Sequence, residues 1–251
     1  MQEITRRTFT KQTLGSLLTY SLLETLCAND LFAAEVKPEI LQWTTELNTL
    51  GLDVKNQKLR QIEWQTAVEE LFKKVELAEL LRLIDFDRLT KNLKFVDNGA
   101  RSVRFKFPKV EGLPAEYVFG KQIFALKKGR SVVPHGHNNM STAFLILKGN
   151  LRGRHFDRLE DGKDYYIIQP TIDRTFGPGD YSTVSDYKDN IHWFRAVTEG
   201  AFIFNIHVLN VTPGSKLPTG RVYLNPNGEK LAGKLIRAPK LGYQEALKLF
   251  G

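Results

Sequence analysis

From residue 101 onward, apolar side chains recur at every second position in short runs, and turn signals separate the runs at intervals of roughly ten residues. Val103-Arg104-Phe105-Lys106-Phe107 alternates as a strand with one face in a core should. Further strand candidates are 117–126, 131–137, 142–148, 150–156, 164–169, 180–185, 192–198, 201–209 and 221–225. Lys148-Gly149-Asn150, Glu160-Asp161-Gly162, Gly177-Pro178-Gly179-Asp180 and Glu199-Gly200 punctuate them. Many short, evenly spaced strands argue for a β-sandwich or a jelly-roll barrel.

The preceding segment has the other period. Ile40, Trp43, Leu47 and Leu50 lie at helical spacing, with Gly51 as a natural stop. Trp64, Val68, Leu71, Phe72 and Val75 form a second stripe, with Glu69–Lys73 and Glu70–Lys74 as i,i+4 pairs on its outer face. Leu80, Leu81 and Ile84 mark a third helix within residues 77–89. Such stripes are packing surface. The chain reads as mainly β, with a helical N-terminal cap over 35–98 and one β-barrel with a C-terminal extension over 99–251. No phosphate loop, GxGxxG, GxSxG or HExxH occurs.

Charged residues make up 25% of the chain and hydrophobic ones 42%, an ordinary globular balance that excludes a disordered tail or a transmembrane bundle. The net charge of +8 is spread along the sequence, with Lys127-Lys128-Gly129-Arg130 as its densest run. No nucleic-acid motif accompanies it, so no nucleic-acid partner is expected. The single cysteine, Cys27, excludes disulfides and thiolate metal clusters.

Thr5-Arg6-Arg7-Thr8-Phe9-Thr10-Lys11 resembles the twin-arginine export signal. The apolar stretch after it is broken by Glu24, which makes it a poor membrane anchor, and small residues suited to cleavage follow at Ala33-Ala34. The resemblance implies passage through the twin-arginine machinery, removal of residues 1–34, and a periplasmic mature protein. Cleavage would take away Arg6, Arg7 and Lys11 together with Glu3, Glu24 and Asp30, leaving the charge at +8 and the chain without cysteine.

The five histidines are His135, His137, His155, His192 and His207. His135 and His137 flank one residue on a strand candidate, so both imidazoles leave the same face. Two adjacent imidazoles inside a barrel are costly to bury unless something takes up their lone pairs, which a divalent metal does well. His192 opens another strand and could supply a third ligand from across the barrel. The alternative is a set of hydrogen-bonded core histidines.

Gly129-(x5)-His135-x-His137-(x11)-Gly149 resembles the first motif of the cupin superfamily, with Thr142 where that motif carries glutamate. The second motif is matched loosely: Gly179-Asp180 precede it, His192 takes its histidine position, Asp189 its glycine and Tyr187 its proline. The likeness implies a cupin-type jelly-roll barrel and a metal on His135, His137 and His192. Without the glutamate, three neutral imidazoles leave a bound cation its full charge, which favours an anionic co-ligand. His135-Gly-His137-Asn-Asn-Met140-Ser141 and Asp189-Asn190-Ile191-His192 are similar to segments of the thiol dioxygenases of the 2-aminoethanethiol dioxygenase and plant cysteine oxidase type, and Gly220-Arg221 with Tyr223 echo a later stretch. That resemblance implies Fe(II) on the three histidines and addition of dioxygen to a thiol. The chain departs from that family at Asn205, where the family has aspartate, and at Asn210-Val211-Thr212-Pro213, which replaces its Pro-Pro-Tyr run.

His207 and Asn205 share a strand face opposite Phe202, Phe204 and Ile206, so His207 is expected either to position substrate or to be a hydrogen-bonded structural residue. His155, in Arg152-Gly153-Arg154-His155, reads as surface, and Arg152 and Arg154 point one way on its strand. The expected function is an exported iron(II) cupin dioxygenase acting on a small substrate, with a thiol among the candidates. The alternatives are a cupin isomerase or lyase using another divalent metal, and a non-catalytic periplasmic ligand-binding cupin.

Overall fold

The computed structural model describes residues 37–251; the twin-arginine-like segment and Cys27 lie outside the described residues. Among the described residues four helices come first: α1 (Pro38–Lys55), α2 (Gln61–Lys73), α3 (Leu77–Leu83) and α4 (Phe86–Thr90). The strands are β1 (Arg101–Val103), β2 (Gly120–Leu126), β3 (Ser131–Asn138), β4 (Met140–Lys148), β5 (Leu151–Asp161), β6 (Tyr165–Phe176), β7 (Tyr181–Val184), β8 (Ile191–Ala196), β9 (Ala201–Leu209), β10 (Gly220–Leu224), β11 (Glu229–Lys230) and β12 (Ile236–Leu241). A short helix, α5 (Tyr243–Phe250), follows.

One sheet runs β1-β2-β9-β4-β7 and the other β10-β3-β8-β5-β6-β12-β11, with the neighbouring pairs antiparallel. Within β2–β9, the first strand lies beside the eighth, then the third and sixth, while the second lies beside the seventh, fourth and fifth. This is the jelly-roll, or double-stranded β-helix, order. The fold is therefore the cupin-type barrel expected, with helices preceding it.

Alternation decides what each strand buries. Ala201 and Ile203 of β9 join Phe144, Ile146, Val184 and Phe194 in the barrel core. Phe202 and Phe204 face the other way and meet the helices, Phe202 against Phe86 at 5.1 Å between ring centroids and Phe204 against Trp43 at 6.5 Å. The cap thus covers the outer face of the five-stranded sheet, and the Trp43 indole donates to the Leu71 carbonyl at 2.9 Å.

Several local expectations are corrected. Gly51 does not stop α1, which continues to Lys55. A Cβ there would lie 2.6 Å from Val118 Cγ1, so the glycine serves close packing of helix on chain. Segment 77–89 breaks in two at Asp85, which adopts φ 52°. Of the first strand candidate, residues 103–107, only Val103 pairs, as the last residue of β1. Phe105 and Phe107 instead pack edge to face on each other, and Phe105 packs on Phe204. Lys73 pairs with Glu70 rather than Glu69, whose carboxylate accepts from Thr183 Oγ1.

The C-terminal extension was not legible in outline. β10 pairs with both β3 and β12, so the seven-stranded sheet curls back on itself around a second small core of Phe156, Tyr166, Ile168, Ile191, Leu224 and Ala238. The two glycines of the first histidine motif sit in turns in the left-handed region, Gly129 at φ 81° and Gly149 at φ 74°. A Cβ at Gly149 would also meet the Gly200 carbonyl oxygen at 2.7 Å. Gly149→Ala is expected to cost more than about 1 kcal/mol. The check is a lower urea midpoint with an unchanged slope.

Candidate metal centre

β3 carries His135 and His137 on its inner face, and the residue between them must be small. A Cβ on Gly136 would lie 2.8 Å from Asn190 Oδ1 and 3.1 Å from Ile191 Cγ1. Asn190 uses that space: its Nδ2 donates to the His137 carbonyl at 2.7 Å and to the Ser185 carbonyl at 2.8 Å. The asparagine two residues before His192 therefore clamps the β7–β8 loop onto the strand that bears the other two histidines. The cap supports the same loop, since the Asp186 N–H donates to Gln61 Oε1 of α2 at 2.9 Å. Asp189, at the motif's glycine position, adopts the left-handed φ of 52° that a glycine would take.

His192 comes not from across the barrel but from the adjacent strand. It pairs directly with His135 between β3 and β8, and with His155 between β8 and β5. The ring centroids are 4.2 Å apart for His135 and His192, 5.0 Å for His135 and His137, and 5.2 Å for His137 and His192. One ligand nitrogen from each ring lies within 4.8 Å of the others, and all three residues are buried. Among the described residues, no carboxylate joins the group.

The hydrogen bonds leave nitrogens free to bind. His135 Nδ1 lies 2.8 Å from the Val133 carbonyl, which can only accept, so Nδ1 carries the proton and Nε2 is free. His137 Nδ1 contacts Thr142 Oγ1 at 3.1 Å. Thr142, at the motif's acid position, thus orients a histidine instead of competing as a ligand. His137 Nε2 and both nitrogens of His192 have no partner. Leaving a buried polar atom unpaired costs about 1–3 kcal/mol, and a cation removes that cost. Desolvation, reinforced by the positive charge of Arg221, lowers the His135 pKa to about 3 and holds His137 and His192 well below 6.5. All three are neutral imidazoles at pH 7, the form that ligates. The donor set fits a divalent metal.

The remaining histidines fall out differently. His155, expected at the surface, is completely buried. Alternation puts Leu151, Gly153 and His155 inward while Arg152 and Arg154 face outward, so the orientation of the two arginines was the signal that placed it. Its ring lies 6.3 Å from that of His192, its Nε2 is 3.4 Å from Ser182 Oγ, and its Nδ1 is unpaired. Burial lowers its pKa to about 3.

His207 and Asn205 are on the inner face of β9, opposite Thr142 and Phe144 of β4. Gly120 makes room for the His207 ring, since a Cβ there would lie 2.3 Å from Nε2. His207 borders a cavity of about 700 Å³ that also reaches Gln122 and Phe105. Asn205 has its amide engaged, accepting from Gln122 Nε2 at 3.2 Å and donating to the Ala143 carbonyl at 3.3 Å.

Arg221 and Tyr223 were not singled out as site residues. β10 pairs them with His137 and His135, which puts all four side chains on one face. The Tyr223 ring lies 5.6 Å from that of His135. Arg221 is exposed, so a cation stands at the rim of the histidine cluster.

No protein-family model and no curated protein matches this chain. Among solved structures, it is similar to a protein with a double-stranded β-helix domain from Klebsiella pneumoniae, at 11% identity and TM-score 0.35 over 54% of this chain and 87% of that one. A cupin superfamily protein from Desulfitobacterium hafniense aligns at 16% identity and TM-score 0.31 over 47% and 84%. Oxalate oxidase in complex with a substrate analogue, glycolate, aligns at 13% identity and TM-score 0.37 over 54% and 61%. The chain spans only 21% of the length of procruciferin, an 11S globulin from Brassica napus. The fold is read from the strand order itself, not from likenesses this distant.

Proposed function

We propose that the mature protein is an exported cupin enzyme that holds iron(II) on His135, His137 and His192 and oxidises a small anionic substrate with dioxygen, a thiol being the leading candidate. The observation that carries this reading is the convergence of three neutral, buried imidazoles with unpaired ring nitrogens and no carboxylate among them. Iron(II) held by these three histidines would supply the one-electron chemistry that lets dioxygen react with a closed-shell substrate, and three protein ligands would leave positions for both.

The chain's own residues do the rest. The Val133 carbonyl fixes the tautomer of His135, and Thr142 orients the ring of His137. Phe144, whose ring lies 4.5 Å from that of His192, and Phe194, at 5.7 Å, exclude water from the inner side. Arg221 at the rim is suited to an anionic group, which also answers the uncancelled charge of the metal. His207, whose pKa is lowered to about 4 chiefly by burial, is neutral at pH 7 and positions substrate rather than donating a proton. Asn205 holds the wall behind it.

Purification without oxygen, elemental analysis and an oxygen-electrode trace over a panel of thiols and diketones test the proposal. Iron near one per chain with oxygen uptake supports it. Zinc, manganese or nickel at full occupancy with no uptake points to isomerase or lyase chemistry or to a binding protein. Arg221→Gln is expected to weaken binding of anionic substrates by about tenfold or more, the worth of a charge-assisted hydrogen bond, while leaving neutral analogues and metal content unchanged. Titration of the metal-loaded variant with both classes checks this.

A further inference from the structure

The strand that turns His192 and Phe194 inward turns Trp193 and Arg195 outward, where the outer face of the seven-stranded sheet breaks a local rule. Arg152 of β5 stands directly opposite Arg195 of β8, and Arg154 directly opposite Trp193. Like charges in directly opposed positions of an antiparallel pair destabilise a sheet. The turn before β3 adds Lys128 to the same place. These four cations and Trp193 line a cavity of about 420 Å³ with no carboxylate in its lining. Asp173 offers one oxygen to two of them, Oδ1 lying 2.6 Å from Arg152 Nε and 3.3 Å from Arg154 Nε. Arg195 has only a neutral partner there, the Gly129 carbonyl at 3.2 Å. The Arg154 guanidinium lies 5.2 Å from the Trp193 ring, and the indole N–H has no acceptor. Phe250 of α5 packs edge to face on the Trp193 ring at 5.2 Å, but no carboxylate beyond Asp173 offsets the repulsion among these cations. Breaches of that kind mark functional sites.

We infer that this cavity binds a multiply charged tetrahedral oxyanion, a phosphate or sulfate group carried by a small molecule, on the side of β8 opposite the histidine cluster. Guanidinium forks from two strands match such a group in shape as well as charge. The site is independent of the proposed chemistry, because its residues and the histidines face opposite ways.

Trp193 provides a local signal, since Trp43 and Trp64 are 4% and 0% exposed. The holoprotein is titrated with inorganic pyrophosphate, and separately with sulfate, at ionic strength held constant with sodium chloride. A saturable change in tryptophan fluorescence, absent in Trp193→Phe, and a rise in Tm with ligand are expected. Arg195→Gln is expected to weaken pyrophosphate binding by about tenfold or more. It should also raise the Tm of the ligand-free protein and leave metal content unchanged. A response no larger than chloride gives, or Arg195→Gln binding as tightly as the parent, overturns the inference. Binding to phosphatidic acid vesicles without binding of pyrophosphate or sulfate also overturns it, by assigning the face to a membrane surface.

Discussion

His192→Ala is expected to abolish retention of divalent metal while the chain still folds. His135 and His137 alone offer two ligands from one strand, and the third nitrogen is what closes the triangle of 4.8 Å. Replacing groups that merely orient ligands costs about 10–100-fold in metal affinity, so losing a ligand should cost at least about 100-fold. Stability is affected less. The substitution leaves a void beside Phe144, whose ring packs on His192, but it also removes two buried nitrogens that have no partner. Elemental analysis after dialysis, with a thermal melt of the metal-free variant alongside, separates these effects. Full occupancy in His192→Ala would remove the third ligand and the proposed function with it.

The second large effect is loss of stability in mild acid. His155 has an ordinary imidazole pKa of 6.5 once unfolded, whereas burial lowers it to about 3 in the folded chain. Between those values the unfolded state binds a proton that the folded state does not. The stability is therefore fully present above about pH 6.5 and falls as the pH is lowered toward 3. At pH 5 this one residue has withdrawn about 2 kcal/mol, and it continues at about 1.4 kcal/mol per pH unit. His135, His137, His192 and His207 shift in the same direction, each through desolvation first, so they add to the slope. Urea melts of the metal-stripped protein from pH 7.5 to 5 measure it. His155→Gln, which keeps a polar group near Ser182, is expected to flatten the curve by one proton's worth. An unchanged slope would mean that His155 is protonated in the folded chain.

Much of the fold could be read from spacing. Alternation along β3, β4 and β9 is a local property of an extended backbone, and it correctly put His135 beside His137 and Asn205 beside His207. The same alternation buries His155, because Arg152 and Arg154 take the outward positions of β5. It was silent on β12 and α5 and on the way β10 closes the second core, because no sequence period records which distant edge a strand will join. Phe105 shows the opposite error. It alternates like a strand residue, yet its ring packs on Phe204 and its backbone joins no ladder.

The sequence by itself determined which side chains share a face, where the glycine turns fall, and which chemistry is on offer: imidazole in plenty, a threonine in place of an acid, and no cysteine beyond Cys27. Only the tertiary structure decided that His192 lies beside His135 on the next strand, that Arg221 joins them, and that Arg152 confronts Arg195 across the outer face. The division has one physical cause. Side-chain direction is set by neighbouring peptide units, whereas register between strands far apart in the chain is set by whatever arrangement buries the most apolar surface, a property of the whole chain at once.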